Sequence, residues 1–340
     1  MAGIKDIARL AGVSIGTVDR VIHNRGRCSA EARSKVEEAI KTLNYKPNIA
    51  ARQLKKQEIY LLGIIQPHPE QDQGYWTHAK EAVSECRENL AISGLEIKSY
   101  FFDRHQPETY IQVLDDVVKD KCRGVLLPPL LPKETKSFLR KYSNLKVVFF
   151  DCPLEEAECL QSIYQEGKTS GAVAADLFVY KFNPVAKIAM IGFNSPHPYI
   201  QERLNSFSET LIKNGFMSPD CFYIPDDFNL EECKAYMFKN KIKLNNYEGI
   251  FIAKTGTYKY AKILNETKKQ CAIIGYDLTP DNLSELKKGA IDVLISQNCK
   301  RQVEIGVQTL VDKLYFDTVS DKYKYMPIDL FTKNSILLSK

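Results

Sequence analysis

The chain has 340 residues, 44% of them hydrophobic and 26% charged, which is more than one typical domain and ample material for cores, so two or three domains are expected. Nine cysteines stand scattered without a Cys-x-x-Cys pair, which excludes a disulfide or zinc framework and suits reduced core thiols. No run of about 18 apolar residues and no charged-then-apolar leader order is present, which excludes a membrane-spanning or exported reading and sets the expected location as the cytoplasm.

The net charge of +5 is unevenly placed. Residues 1–58 carry 12 Lys+Arg against 6 Asp+Glu, which leaves 35 against 36 for the remainder, so the head is +6 and the body −1. A basic head on a near-neutral body suits a small module drawn to phosphates and a large one with another task.

In chain order, Ile4, Ile7, Ala8 and Ala11 recur on one helical face, and Gly12 supplies the backbone freedom for a sharp turn. Ser14 is placed to cap a second helix in which Val18, Val21 and Ile22 repeat the apolar spacing, so Ile15, Gly16, Thr17 and Arg20 face outward. This is a helix-turn-helix, whose second helix enters a major groove, where an arginine matches guanine bidentately. The plainer role for Arg20 is a phosphate clamp or a solvated charge. Ser29 is placed to cap a third helix with inner face Val36, Ile40 and Leu43, ending at Asn44. Pro47 then breaks the chain and Asn48 caps a segment too short to be a stable helix alone, so it is expected to order on DNA.

From residue 59 the period changes. Apolar runs at 59–65, 95–102, 124–127 and 146–150 alternate with amphipathic stretches at 76–92, 107–119 and 133–142, the signature of βαβ units in a parallel sheet. The alternation restarts with runs at 187–191, 249–252, 272–274 and 293–295, separated by helices near 168–180, 199–214, 257–267 and 300–315, and a final strand is expected at Asn334–Leu338. Two Rossmann-like α/β lobes follow. Their first strands end alike, in Pro67-His68-Pro69 and Pro196-His197-Pro198, and ligands in such sheets bind beyond the strands' carboxyl ends, so these loops should face each other across a cleft. Stiffening of the loops by proline explains these motifs better than metal binding by His68 and His197. Neither metal nor cofactor is expected.

Enzyme signatures fail. Ser162 to Thr169 imitates the end of a phosphate-binding loop, but its first glycine is replaced by Ser162, and no nucleophile elbow, zinc-protease or dinucleotide motif occurs.

The stretches 7–21, Leu43-Asn-Tyr-Lys-Pro-Asn48 and Ala51-Arg-Gln-Leu54 resemble, in order and spacing, the head and hinge of lactose/galactose repressor (LacI/GalR-type) transcription factors. The resemblance implies DNA contacts by Ser14, Ile15, Gly16, Thr17, Arg20, Asn24, Asn48, Ala51 and Leu54. Hinge helices of two subunits would lie in the minor groove, with Leu54 wedged into a base step and the small Ala50 and Ala51 letting them approach. The alternative for Leu54 is packing on the body. Ile15 and Gly16 stand where polar base readers are common, and Asp19 where serine is usual, so Asp19 either accepts from a cytosine amino group or pairs with an arginine.

The body resembles the type I periplasmic-binding-protein fold that serves these repressors as effector domain, giving domains at 1–45 (head), 46–58 (hinge) and 59–340 (body). The expected lobes are 59–158 plus 293–318 and 159–292 plus 319–340. The resemblance implies effector contacts by Gln66, Tyr75, Asp151, Arg203, Lys254, Thr255, Asp277 and Gln297, with Tyr75 and Trp76 available to stack on a sugar or, for Trp76, to pack in the core. Lys254-Thr255 replaces a common Asn-Asp, and Cys152 stands where sugar-binding relatives can carry arginine. A cleft lysine favours an anionic effector such as a sugar phosphate or sugar acid, unless Lys254 pairs with Asp277.

The leading reading is a homodimeric repressor of carbohydrate genes that binds a pseudo-palindromic double-stranded operator under control of a small sugar-like effector. A solute-binding protein is the runner-up and has no use for the head. A sugar-modifying enzyme is the third and lacks a catalytic set.

Overall fold

The computed structural model describes residues 4–22, 28–43, 60–90, 95–193, 198–267, 270–318 and 320–338. Asn24, Asn48, Ala51, Leu54 and Pro196-His197 lie outside the described residues.

The head folds from three helices, α1 (Ile4–Ala11), α2 (Ile15–Ile22) and α3 (Ala30–Thr42). Their apolar faces meet in a core of Ile7, Ala8, Ala11, Val18, Val21, Val36 and Ala39. Ile40 and Leu43, read as part of the inner face of α3, are only partly buried beside Ala39. Gly12 has φ +65°, the left-handed region in which a Cβ is strained, and so makes the turn. Ser14 Oγ accepts from the Thr17 amide at 3.1 Å, and Ser29 Oγ from the Ala32 amide at 3.2 Å, as the cap assignments require.

The body contains twelve described strands in two sheets. The first combines β1 (Tyr60–Pro67), β2 (Leu95–Phe102), β3 (Gly124–Leu127), β4 (Lys146–Phe150), β5 (Gln161–Tyr164) and β11 (Tyr323–Tyr325) in the order β2-β1-β3-β4-β5-β11. The second combines β6 (Ile188–Phe193), β7 (Asp220–Ile224), β8 (Gly249–Ile252), β9 (Ala272–Tyr276), β10 (Val293–Ser296) and β12 (Asp329–Phe331) in the order β7-β6-β8-β9-β10-β12. The two orders are the same pattern repeated. Neighbours are parallel except β10 and β12, and the central strands, covered on both faces, are continuous apolar runs such as Gly-Val-Leu-Leu and Gly-Ile-Phe-Ile.

The first sheet is covered by α4 (Thr77–Leu90), α5 (Pro107–Lys119), α6 (Pro132–Lys141) and the long α12 (Cys299–Phe316), whose Val303, Val307 and Leu310 reach its core. The second is covered by α7 (Gly167–Lys181), α8 (Pro198–Lys213), α9 (Leu230–Lys239), α10 (Thr257–Glu266) and α11 (Pro280–Lys288).

The chain passes between lobes after β5, after β10 and between β11 and β12. The expected lobe limits are corrected accordingly: β10 pairs with β9 in the second sheet, whereas β5 pairs with β4 and β11 with β5 in the first. Backbone pairing, which periodicity does not report, decides this. One side chain binds all three crossings together, because Gln165 Nε2 donates to the carbonyls of Ser296 (2.8 Å) and Pro327 (3.1 Å). The expected strand at Asn334–Leu338 is instead a turn of 3-10 helix at Ser335–Leu338, anchored by Ser335 Oγ donating to the Thr332 carbonyl at 2.9 Å. The edge of the sheet next to β10 is already taken by β12.

Candidate effector cleft and DNA-reading face

On the head, burying Val18 and Val21 leaves Ser14, Ile15, Gly16, Asp19 and Arg20 exposed and Thr17 half-exposed. Ile15 is 50% exposed, a large apolar side chain presented to solvent at the start of α2. A Cβ on Gly16 would lie no closer than 3.8 Å to any neighbour, so the surface there is open.

The two lobes enclose a small cleft lined by residues of both. Tyr75, Asp151, Arg203, Lys254, Thr255, Asp277 and Gln297 all line it, together with Trp76 and Tyr199. Gln66 does not. Its side chain is fully buried at the end of β1 and neither polar atom finds a partner, because strand alternation turns it onto the face that carries Leu62 and Ile64.

Two aspartates occupy matching places: Asp151 follows β4, the fourth strand of its lobe, and Asp277 follows β9, the fourth of the other. Both have left-handed backbones, φ +70° and +68°, which turn each carboxylate off its strand end. Asp151 accepts from the Tyr75 hydroxyl at 2.7 Å, and its amide donates to Gln302 Oε1 at 2.6 Å. Asp277 accepts from the amide of Gln297 at 3.2 Å and from its Nε2 at 2.8 Å. Arg203 completes the wall, donating to Gln297 Oε1 at 2.5 Å and the Ala253 carbonyl at 3.1 Å, with its guanidinium 4.1 Å from the Tyr276 ring centre. Its position depends on close packing of α7 on α8, since a Cβ on Gly171 would stand 2.2 Å from the Arg203 carbonyl oxygen.

Burial pushes the Asp277 carboxyl up to about 7 and raises Asp151 as well. Arg203 Nε and Thr255 Oγ1 are buried and without a partner. In a cleft lined by carboxylates, such orphaned groups point to a ligand that supplies hydrogen bonds.

Apart from Lys254 and Trp76, the other wall was not legible in the sequence. Asp72 and Gln73, both left-handed at φ +51° and +59°, turn back after β1, and Asp72 accepts from Trp76 Nε1 at 2.7 Å. Trp76 is 2% exposed and packs edge-on against Phe150, so it serves the core as well as the cavity. Arg104, after β2, donates to Asp72 and, at 2.9 Å, to Asp226 after β7. Lys254 pairs with Asp72 at 2.8 Å and with Asp226. The alternative pairing with Asp277 is corrected: Asp72 and Asp226 reach Lys254 instead. Burial alone would raise these two carboxyls, but Lys254 and Arg104 outweigh it and hold both below the usual range. Asp72, Arg104 and Asp226 carry no motif; the only signal was their place just past strand ends.

The phosphate-loop imitation at Gly167-Lys-Thr opens α7, where Glu166 accepts from the Thr169 amide at 3.1 Å and occupies the helix end with its own carboxylate. His68 stacks on Phe101 with 6.1 Å between ring centres. Among the described residues no group of three or more His, Cys, Asp or Glu is placed to hold a metal ion, and no helix is long and apolar enough to cross a membrane. All nine cysteines are free thiols.

A helix-turn-helix head joined to a two-lobed cleft with polar strand ends defines a ligand-responsive DNA-binding protein. Residues 3–48 match the family described as bacterial regulatory proteins, lacI family, and residues 65–317 the periplasmic binding protein domain. The chain is 48% identical over 348 aligned positions to the ribose operon repressor of Lactococcus lactis subsp. lactis, covering 99% of this chain and 98% of that one. It is 28% identical to the ribose operon repressor of Bacillus subtilis, covering 86% and 88%. The crystal structure of the lac repressor dimer bound to operator and the anti-inducer ONPF shares the fold, with TM-score 0.64, 19% identity and coverage of 97% and 98%. The chain belongs to the LacI family of bacterial transcriptional regulators, which are DNA-binding proteins and not enzymes.

Proposed function

We propose that this regulator represses genes of sugar use as a dimer on a pseudo-palindromic operator, and that its effector is a neutral monosaccharide of pentose size. The ribose operon repressors that it resembles over most of its length make D-ribose the first candidate. The observation that carries the neutral reading is the commitment of the cleft cations: Lys254 and Arg104 are each paired with two carboxylates, and Arg203 is engaged by Gln297 beside Asp277. Asp151 and Asp277 beside Arg203 leave the cleft with no excess of positive charge for a phosphate or carboxylate. This argues against the sugar phosphate or sugar acid that a cleft lysine suggests by itself. Asp151, Asp277 and Gln297 accept from or donate to ring hydroxyls in this reading, and Arg203 Nε and Thr255 Oγ1 find partners in the sugar. Tyr75 holds Asp151.

The head takes the DNA side. Ser14, Ile15, Gly16, Thr17 and Arg20 face the major groove, and Asn24, Asn48, Ala51 and Leu54 take the parts that the family resemblance implies.

Titration calorimetry with D-ribose, D-glucose and ribose 5-phosphate tests the effector reading. Binding of a neutral sugar and none of the phosphate is expected; tight binding of ribose 5-phosphate that Lys254→Met abolishes would overturn it. Fluorescence anisotropy on DNA upstream of the protein's own gene, with and without the sugar that binds, tests the regulatory one.

A further inference from the structure

The four charged side chains on the far wall have a symmetry that ligand binding does not require. Asp72 and Arg104 come from one lobe, Asp226 and Lys254 from the other, and each cation touches both anions. Two of the four contacts lie within a lobe, Arg104 with Asp72 and Lys254 with Asp226; the other two cross the cleft. Each lobe thus carries its own ion pair, and closure lays the two pairs side by side with opposite polarity. Separating the lobes keeps both internal pairs and breaks only the crossed ones.

The side chains are 8–15% exposed. Charges this buried are costly unless fully paired, and here they are fully paired by the protein. A fixed support holds the ring: Trp76 Nε1 binds Asp72, and a further crossing is made by the Tyr258 hydroxyl donating to Gln73 Oε1 at 2.9 Å. The four charged groups spend their contacts on one another, two within the lobes and two between them, whereas Arg203 Nε and Thr255 Oγ1 in the same cleft are unpartnered.

We propose that Asp72, Arg104, Asp226 and Lys254 form a clasp that holds the two lobes shut in the absence of any effector. The closed form is then the resting state of the protein, and an effector enters during brief openings. Its observed binding rate levels off at the opening rate as its concentration rises. The clasp goes beyond the sugar reading, and its test needs no effector, so the two can fail separately.

Hydrogen exchange followed by mass spectrometry on the full-length, effector-free protein tests it. Peptides covering 70–76, 103–106, 225–229 and 254–258 are expected to exchange slowly in the wild type. They should exchange at least tenfold faster in Asp226→Asn and in Lys254→Met, while peptides from β1 and β6 keep the wild-type rate. A wild type whose cleft peptides are already fully exchanged at the earliest time overturns the clasp whatever the variants do. So does wild-type protection in a variant with native β1 and β6. Should one variant lose protection in β1 and β6 as well, and so be unfolding globally, the other decides.

Discussion

Arg104 and Asp226 occupy the same place in the two lobes, each just past the second strand, and they meet across the cleft with Nη2 2.9 Å from Oδ2. Equivalent loops of a repeated topology carry opposite charges. The same repeat sets Asp151 against Asp277, two carboxylates of like charge; burial raises both, and the charge of Asp151 adds to the rise at Asp277. One pair of equivalent positions therefore draws the lobes together, and the other leaves a polar gap for a ligand to fill.

Effector affinity should depend on pH through Asp277. Its carboxyl sits at about 7 in the free protein, and a sugar hydroxyl donating to it favours the charged form. Binding then releases a proton below that pH, and affinity falls by up to about tenfold per unit as the solution is acidified. Calorimetry from pH 5.5 to 8 should show this slope, and Asp277→Asn should flatten it in part, since Asp151 is shifted the same way. For stability the sign is reversed. The native state holds a proton that the unfolded chain, with a carboxyl near pH ~4, has lost, so the unliganded protein weakens as pH rises from there to about 7.

Thr255→Val should separate stability from binding. Thr255 is 5% exposed and its hydroxyl has no partner, so a methyl of the same shape removes a buried polar cost of roughly 1–3 kcal/mol from the unliganded protein. Thermal melting of the effector-free variant should rise by a few degrees while sugar affinity drops several-fold. A variant that melts lower and binds equally well would remove Thr255 from the site.

Gly171→Ala should be severely destabilising, by about 1–3 kcal/mol or more, because the added methyl meets the Arg203 backbone at 2.2 Å and α7 must move off α8. The helices carry Arg203 with them, so effector binding should fall further than the melting temperature alone implies. Calorimetry well below the melting point measures that excess.

On the head, Leu54→Ala should weaken operator binding more than Ile15→Ala does. The exposed surface of α2 offers an apolar Ile15 and a bare Gly16 where hydrogen-bonding side chains would read bases, so minor-groove deformation is expected to carry an unusual share of specificity. Anisotropy titrations at one fixed salt concentration rank the two, and the reverse order refutes the argument.

The order of residues is enough for the three helices of the head, their caps at Ser14 and Ser29, the turn at Gly12 and the alternation that makes two α/β lobes. These are local matters, in which period, cap and turn residues lie within a few positions of one another. Of the residues that the family resemblance named for the cleft, Asp151, Lys254, Thr255, Asp277 and Gln297 line it from just past strand ends, Tyr75 from before α4 and Arg203 from within α8, whereas Gln66, near the end of β1, is turned into the core. Tertiary structure alone decided which sheet takes β5, β10 and β11, since pairing partners are far apart in the chain. It alone brought Arg104 within reach of Asp226, 122 residues away, and gave Lys254 two carboxylates in place of a free charge. The charge of a side chain is written in the sequence; what neutralises it is settled only when the lobes come together.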